Sequence, residues 1–150
     1  MPRLQIVIDC ARPGLLVEFW STVLGYVVEP PPGGNPDWNT YWRSIGVPQA
    51  ELDTDRDSAD SIVDPEGDGP RIWFQVVPEV KQIKNRVHLD HMVADRSRPL
   101  AERRATIDTE VERLVAAGAT VVRPGGSSEA GVDHYGVTLQ DPEGNEFCVG

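Results

Sequence analysis

His88-Leu89-Asp90 and Glu146-Phe147-Cys148 each place two chemically able side chains two residues apart. In an extended strand residues i and i+2 share a face, so each pair would project together. Histidine is the residue type that ordinarily titrates near neutrality, so His88 suits a general base, with Asp90 as the acid that orients it. Cys148 would serve as a nucleophile if His88 lowered its pKa; a buried, inert thiol is the plainer role. His88 reads equally well as a satisfied structural histidine. His91 would point to the opposite face from His88 and cannot chelate with it. The same alternation groups Trp73 with Gln75 and Val77, and Gln5 with Val7 and Asp9. Lys84-Asn85-Arg86 can meet an anionic group or hydrogen-bond the turn it occupies. The chain has no Gly-rich phosphate loop, no Gly-x-Ser-x-Gly elbow and no basic stripe with interleaved aromatics.

The elements that must carry these residues come in duplicate. Asp64-Pro65-Glu66-Gly67 returns unchanged as Asp141-Pro142-Glu143-Gly144. It has the residues of a tight turn, with Pro fixing φ and Gly tolerating φ > 0. Each copy leads into a strand-like segment, Ile72-Trp73-Phe74-Gln75-Val76-Val77 and Glu146-Phe147-Cys148-Val149. Two copies half a chain apart indicate a duplicated supersecondary unit.

Leu4 to Ile8 reads as a strand, and Val87 to Asp90 opens the second half in the same way. Pro13 suits an early helical position, and Leu15, Leu16, Phe19, Trp20, Val23 and Leu24 fall on one helical face. Gly25 stops that helix and Tyr26-Val27-Val28 follows as a strand. In the second half Leu100, Ile107, Val111, Leu114 and Val115 give a longer amphipathic helix. Gly118 stops it, before the strand Ala119 to Val122. Trp38 to Ile45 and His134 to Leu139 are the expected third strands; on the first of these Trp38, Tyr41 and Trp42 would stack on a ligand or fill a core. The fold class is α+β: two βαβββ modules in one domain of residues 1–150, roughly 1–80 and 85–150.

With 150 residues the chain is long enough for a real core. Its 14 basic and 24 acidic residues give a net charge of −10. That is a poor surface for nucleic acid or anionic membranes, and it leaves weak attraction for cations or plain solubility as its meaning. No N-terminal leader and no membrane-spanning apolar run are visible, so a cytoplasmic protein is expected. Cys10 and Cys148 make no disulfide framework and read as reduced thiols. The stretch from Pro30 to Pro36 and the acidic stretch from Glu51 to Asp60 read as surface loops.

Ile8-Asp9, Phe19-Trp20, Leu24-Gly25-Tyr26, Lys84 through Asp90, Gly118-Ala119-Thr120 and Asp141 through Phe147 together resemble the vicinal oxygen chelate superfamily. The glyoxalase-like branch is the nearest in pattern, and only the long loop of the first half lies outside the resemblance. The resemblance implies sheets that enclose an open, barrel-like cleft holding a divalent metal or a small organic ligand. It implies too that members pair, so a homodimer is expected. Carried over residue by residue, the family's ligand positions fall on Gln5, Gln75, His88 and Cys148, with Gln5 superposing on His88 and Gln75 on Cys148. Both glutamates usual there are missing, and with them the anionic oxygen donors that hold a hard ion. No metal cofactor is therefore expected, and activities that need a metal as Lewis acid are in doubt.

Two readings follow. In the first the chain is a metal-independent small-molecule binder of the bleomycin-resistance type, with Gln5, Trp73, Gln75, Glu146 and Cys148 around the ligand. In the second it is an enzyme of the glyoxalase-like branch, a lyase, isomerase or dioxygenase. Such an enzyme would use a divalent metal or His88 and Asp90 as its acid–base pair.

Overall fold

A computed structural model describes residues 3–52, 59–125 and 133–150. The chain divides into two compact units, Met1–Glu79 and Val80–Gly150. The first contains β1 (Gln5–Cys10), α1 (Pro13–Leu24), β2 (Val27–Val28), α2 (Trp38–Ser44), β3 (Ser61–Val63) and β4 (Arg71–Val76). The second contains β5 (Asp90–His91), α3 (Leu100–Ala116), β6 (Thr120–Arg123), β7 (Val137–Gln140) and β8 (Glu146–Val149). Each is a four-stranded sheet with the same connectivity, β1-β4-β3-β2 in one and β5-β8-β7-β6 in the other. In both, the first strand lies parallel to the last and the other pairings are antiparallel. Setting α2 aside, both units are βαβββ.

One helix covers one face of each sheet. Pro13 opens α1, where its missing N–H would have had no intrahelical partner, and Gly25 closes it at φ 69°. Leu16, Phe19, Trp20 and Val23 recur at helical spacing and are buried, as are Ile62, Ile72 and Phe74 of the strands beneath. In the second unit Ile107 and Leu114 of α3 are buried, with Val137, Leu139, Phe147 and Val149 below. Phe74 and Phe147 hold corresponding places, and burying a side chain of that size stabilises by about 1.5–3 kcal/mol.

The repeated tetrapeptide is the same device twice. Asp64 accepts the N–H groups of Glu66, Asp68 and Gly69, and Asp141 accepts those of Glu143 and Asn145. Gly67 and Gly144 take φ of 80° and 87°, which a Cβ would strain. The turn sets the start of β4 and β8, and hence which of their residues face the helix.

Three expected strands differ. Trp38 to Ile45 is not a strand: residues 38–44 form α2, because Asp37 caps it by accepting the Thr40 N–H at 2.6 Å. Trp38, Tyr41 and Trp42, at i, i+3 and i+4, then meet one another, with Trp38 and Trp42 stacked at 5.5 Å. The missing strand is β3, supplied by Ser61–Val63. In the second unit the third strand begins at Val137 rather than His134, and the opening strand is only Asp90–His91. The acidic stretch is partly described: Gln49–Glu51 is a 3-10 turn, while residues 53–58 lie outside the described residues.

Candidate functional site

The face of the second sheet turned away from α3 collects the titratable groups. In β8 the alternation sends Phe147 and Val149 toward the helix and leaves Glu146 and Cys148 on the far side. Cys148 stands opposite Asp90 in β5 and opposite Thr138 in β7. His88, two residues before Asp90, shares its side, and its Nδ1 lies 3.0 Å from Asp90 Oδ1. Thr138 Oγ1 and Cys148 Sγ are 3.7 Å apart. One ligand atom from each of His88, Asp90 and Cys148 falls within 4.8 Å of the others. His91 points the other way, as alternation requires, and its Nε2 meets Glu110 of α3 at 2.9 Å.

A carboxylate can only accept here, so neutral His88 donates through Nδ1–H and leaves Nε2 as an acceptor. His88 and Asp90 are partly exposed, with 40% and 55% of their side chains reachable by water. An imidazole held by a carboxylate beside a half-buried thiol has the parts that general-base or nucleophilic chemistry requires.

Glu146 has a different employment. Its Oε2 accepts the Asn85 N–H at 2.9 Å and the Lys81 ammonium at 3.0 Å. The Asn85 hydrogen bond first, and Lys81 after it, pull its pKa down to about 2. This carboxylate ties the segment from Lys81 to Asn85 to β8. Lys81, rather than Lys84 or Arg86, meets this carboxylate, and Thr138 lies in a stretch whose sequence signals only a strand.

In the first unit Gln5, Arg71, Trp73 and Gln75 lie on the face away from α1. Arg71 organises part of it, donating to Glu29 at 2.8 and 2.6 Å, to Gln5 Oε1 at 3.0 Å and to Ser61 at 2.8 Å. The Trp73 indole donates to Asp60 at 2.8 Å. Arg71, Glu29 and Asp60 carry no local sequence signal, since each belongs to a different stretch of the chain.

The strand registers correct the expected ligand set. Gln5 stands opposite Arg71, whereas Gln75 stands opposite Asp9, four residues further along. At strand rise that is about 13 Å, so Gln5 and Gln75 do not converge on one ion. By the same count Gln75 and Cys148 hold corresponding places, opposite Asp9 and Asp90. His88 then corresponds to Val7, and the superposition of Gln5 on His88 is wrong by two residues.

A carboxylate does stand beside His88 and Cys148. Imidazole, carboxylate and thiol suit a borderline ion such as zinc better than magnesium or calcium. Tetrahedral zinc ligands stand roughly 3.3–3.8 Å apart, so the set needs to close by about 1 Å, and Asp90 would have to leave His88 Nδ1 or serve both. His88, Asp90 and Cys148 are the residues that would hold such an ion, which would supply a Lewis acid.

A two-unit βαβββ chain of this connectivity belongs to a known structural class. A glyoxalase/bleomycin resistance protein/dioxygenase family enzyme from Burkholderia phytofirmans PsJN matches with TM-score 0.57 and 19% identity, over 97% of this chain and 94% of that one. A possible glyoxalase from Bacillus cereus matches at 0.56 and 15%, over 99% and 97%. The fosfomycin resistance protein FosX of Listeria monocytogenes matches at 0.57 and 10%, over 99% and 91%. No curated protein matches the sequence. Residues 5–150 match the family described as glyoxalase-like domain, and the chain belongs to that family. Among the described residues no helix is long and apolar enough to cross a membrane.

Proposed function

We propose that the chain is a small-molecule-binding protein of the glyoxalase superfamily that works without a metal ion. Its ligand would be held on the far face of the second sheet by His88, Asp90 and Cys148. The observation behind this reading is the 3.0 Å contact between His88 Nδ1 and Asp90 Oδ1. It commits the carboxylate to the imidazole and leaves Nε2 free to accept a hydrogen bond from a ligand. The net charge of −10 favours neutral or cationic ligands over phosphorylated ones. Trp73, Gln75 and Gln5 are ligand candidates on the first sheet, with Gln5 already engaged by Arg71.

The clustering of three different donors within 4.8 Å favours a second reading, a zinc-assisted enzyme. A thermal-shift screen of uncharged and cationic compounds on wild type and His88→Ala, beside a calorimetric zinc titration of wild type and Cys148→Ser, separates the two. The binder reading expects compounds that stabilise wild type and not His88→Ala, with no stoichiometric zinc uptake. Zinc bound one to one by wild type, and lost in Cys148→Ser, would transfer the case to the enzyme.

We also propose that the protein works as a homodimer. Among the described residues β2 and β6 have a sheet partner on one side only, and they expose Val27, Val28, Val121 and Val122, which invites a partner strand. Light scattering at the monomer mass across a wide concentration range would rule this out.

A further inference from the structure

Beside the N-terminal half of α3 lies a cavity of about 210 Å³ that shares no residue with the His88 face. Met92, Ile107 and the ring of Tyr135 form its apolar walls, Arg96 and Arg103 bring cationic groups to it, and the His134 imidazole lines it beside them. Arg103 is the unusual member. Only 8% of its side chain is exposed, and a guanidinium cannot shed its charge to suit burial. Its Nε donates to the Arg98 carbonyl at 3.0 Å, which fixes the fork. Its Nη2 donates to Asp133, and among the described residues its Nη1 finds no acceptor.

The two sides of this ion pair are unequal. Asp133 is 75% exposed while Arg103 is buried. Returning Asp133 to water costs little, since exposed carboxylates keep most of their hydration. Any other anion that reached the guanidinium would take over its neutralisation and could also engage Nη1. The wall opposite is held in place: Tyr135 donates to Asp108 at 2.5 Å and lies under the Arg104 guanidinium at 4.9 Å. Gly125 makes room for that ring, because a Cβ there would fall 2.4 Å from it.

We propose that this cavity is a binding site for a small carboxylate with a short apolar tail. The ligand carboxylate displaces Asp133 from Arg103, receiving Nη1 and Nη2 together, and its tail lies against Met92 and Ile107. At about 210 Å³ the cavity is smaller than the roughly 300–1,000 Å³ of a drug-sized ligand pocket, which limits the ligand to a few carbons. The fork geometry of arginine matches a carboxylate bidentately, and the apolar walls favour it over a bare inorganic anion.

Titration of the whole chain with butyrate, followed by backbone amide NMR, tests this. Shifts are expected at Met92, Ala94, His134 and Tyr135, with a dissociation constant on the order of millimolar for so few atoms. Asp133→Asn removes the competing carboxylate and should tighten butyrate binding roughly two- to five-fold. A purely structural ion pair would give no such gain. Arg103→Met should abolish the shifts; if that variant does not fold, Asp133→Asn still decides. The proposal is overturned if butyrate moves none of these amides, if Asp133→Asn binds no tighter than wild type, or if a folded Arg103→Met still binds. Inorganic phosphate is the control without a tail: binding by phosphate and not by butyrate also overturns it. Shifts confined to Asp90 and Cys148 would place butyrate on the other face and count equally against it.

Discussion

Asp90 stands opposite Cys148 in the parallel pairing of β5 and β8 while its Oδ1 lies 3.0 Å from His88 Nδ1. The relation is set by the backbone leading into β5, where the Leu89 carbonyl accepts the Cys148 N–H at 2.9 Å. His88 and Asp90 are two residues apart and share a side, and pairing to β8 brings the thiol to the same place. An orienting carboxylate, an imidazole and a thiol are thereby assembled from two short segments nearly sixty residues apart in sequence.

Removing the carboxylate should release the imidazole. In wild type His88 should hold its proton on Nδ1 when neutral, because only that nitrogen faces Asp90. Asp90→Ala should let the tautomers mix and weaken any ligand accepted by Nε2. Long-range proton–nitrogen NMR reads the tautomer directly; an unchanged His88 spectrum would show that Asp90 does not orient it.

Glu146 makes stability depend on acid. Its folded pKa of about 2 lies below the ordinary 4.5, so its contribution is fully present above about 4.5. It is lost as pH falls through about 2, below which both states bind the proton. Glu146→Gln should therefore be less stable than wild type at neutral pH, and the gap should narrow as pH drops through that window. Urea midpoints at pH 7 and pH 2.5 measure it, and a gap that stayed constant would assign the loss to packing instead.

Gly69 has no room for a methyl group. A Cβ there would lie 1.8 Å from Tyr26 Oη and 3.2 Å from Asp64 Oδ2. Gly69→Ala should cost about 1–3 kcal/mol, the usual range for overpacking. Adding Tyr26→Phe removes the clashing oxygen and should recover most of it. A single variant as stable as wild type in chemical denaturation would mean that Tyr26 moves aside freely.

The two sheets should answer alike to cavities. Phe74 and Phe147 are 0% and 1% exposed in corresponding strands. Phe74→Ala and Phe147→Ala should each lose about 3–5 kcal/mol. A loss below 1 kcal/mol at either position would show that its helix and sheet repack around the gap.

Much of this protein is determined locally and was legible in its sequence. The Asp-Pro-Glu-Gly turns depend on a side chain, a ring and a glycine within a few residues, so their repetition disclosed the duplication. Both long helices follow from Pro13, Gly25, Gly118 and a 3.6-residue apolar period. The pairing of His88 with Asp90 followed from alternation alone. Trp38 to Ser44 was missed because aromatic residues suit strands, while the deciding signal was the Asp37 cap and the i, i+3, i+4 spacing. What only the tertiary structure decided is register. Gln5 and Gln75 each look like a ligand on a one-dimensional alignment, yet their strands pair with a four-residue offset that separates them. The engagement of Glu146 by Lys81, of Arg71 by Glu29 and of Arg103 by Asp133 belongs to the same category. Each joins residues thirty to sixty-five positions apart, and such contacts depend on how the strands and helices are packed, which no local propensity encodes.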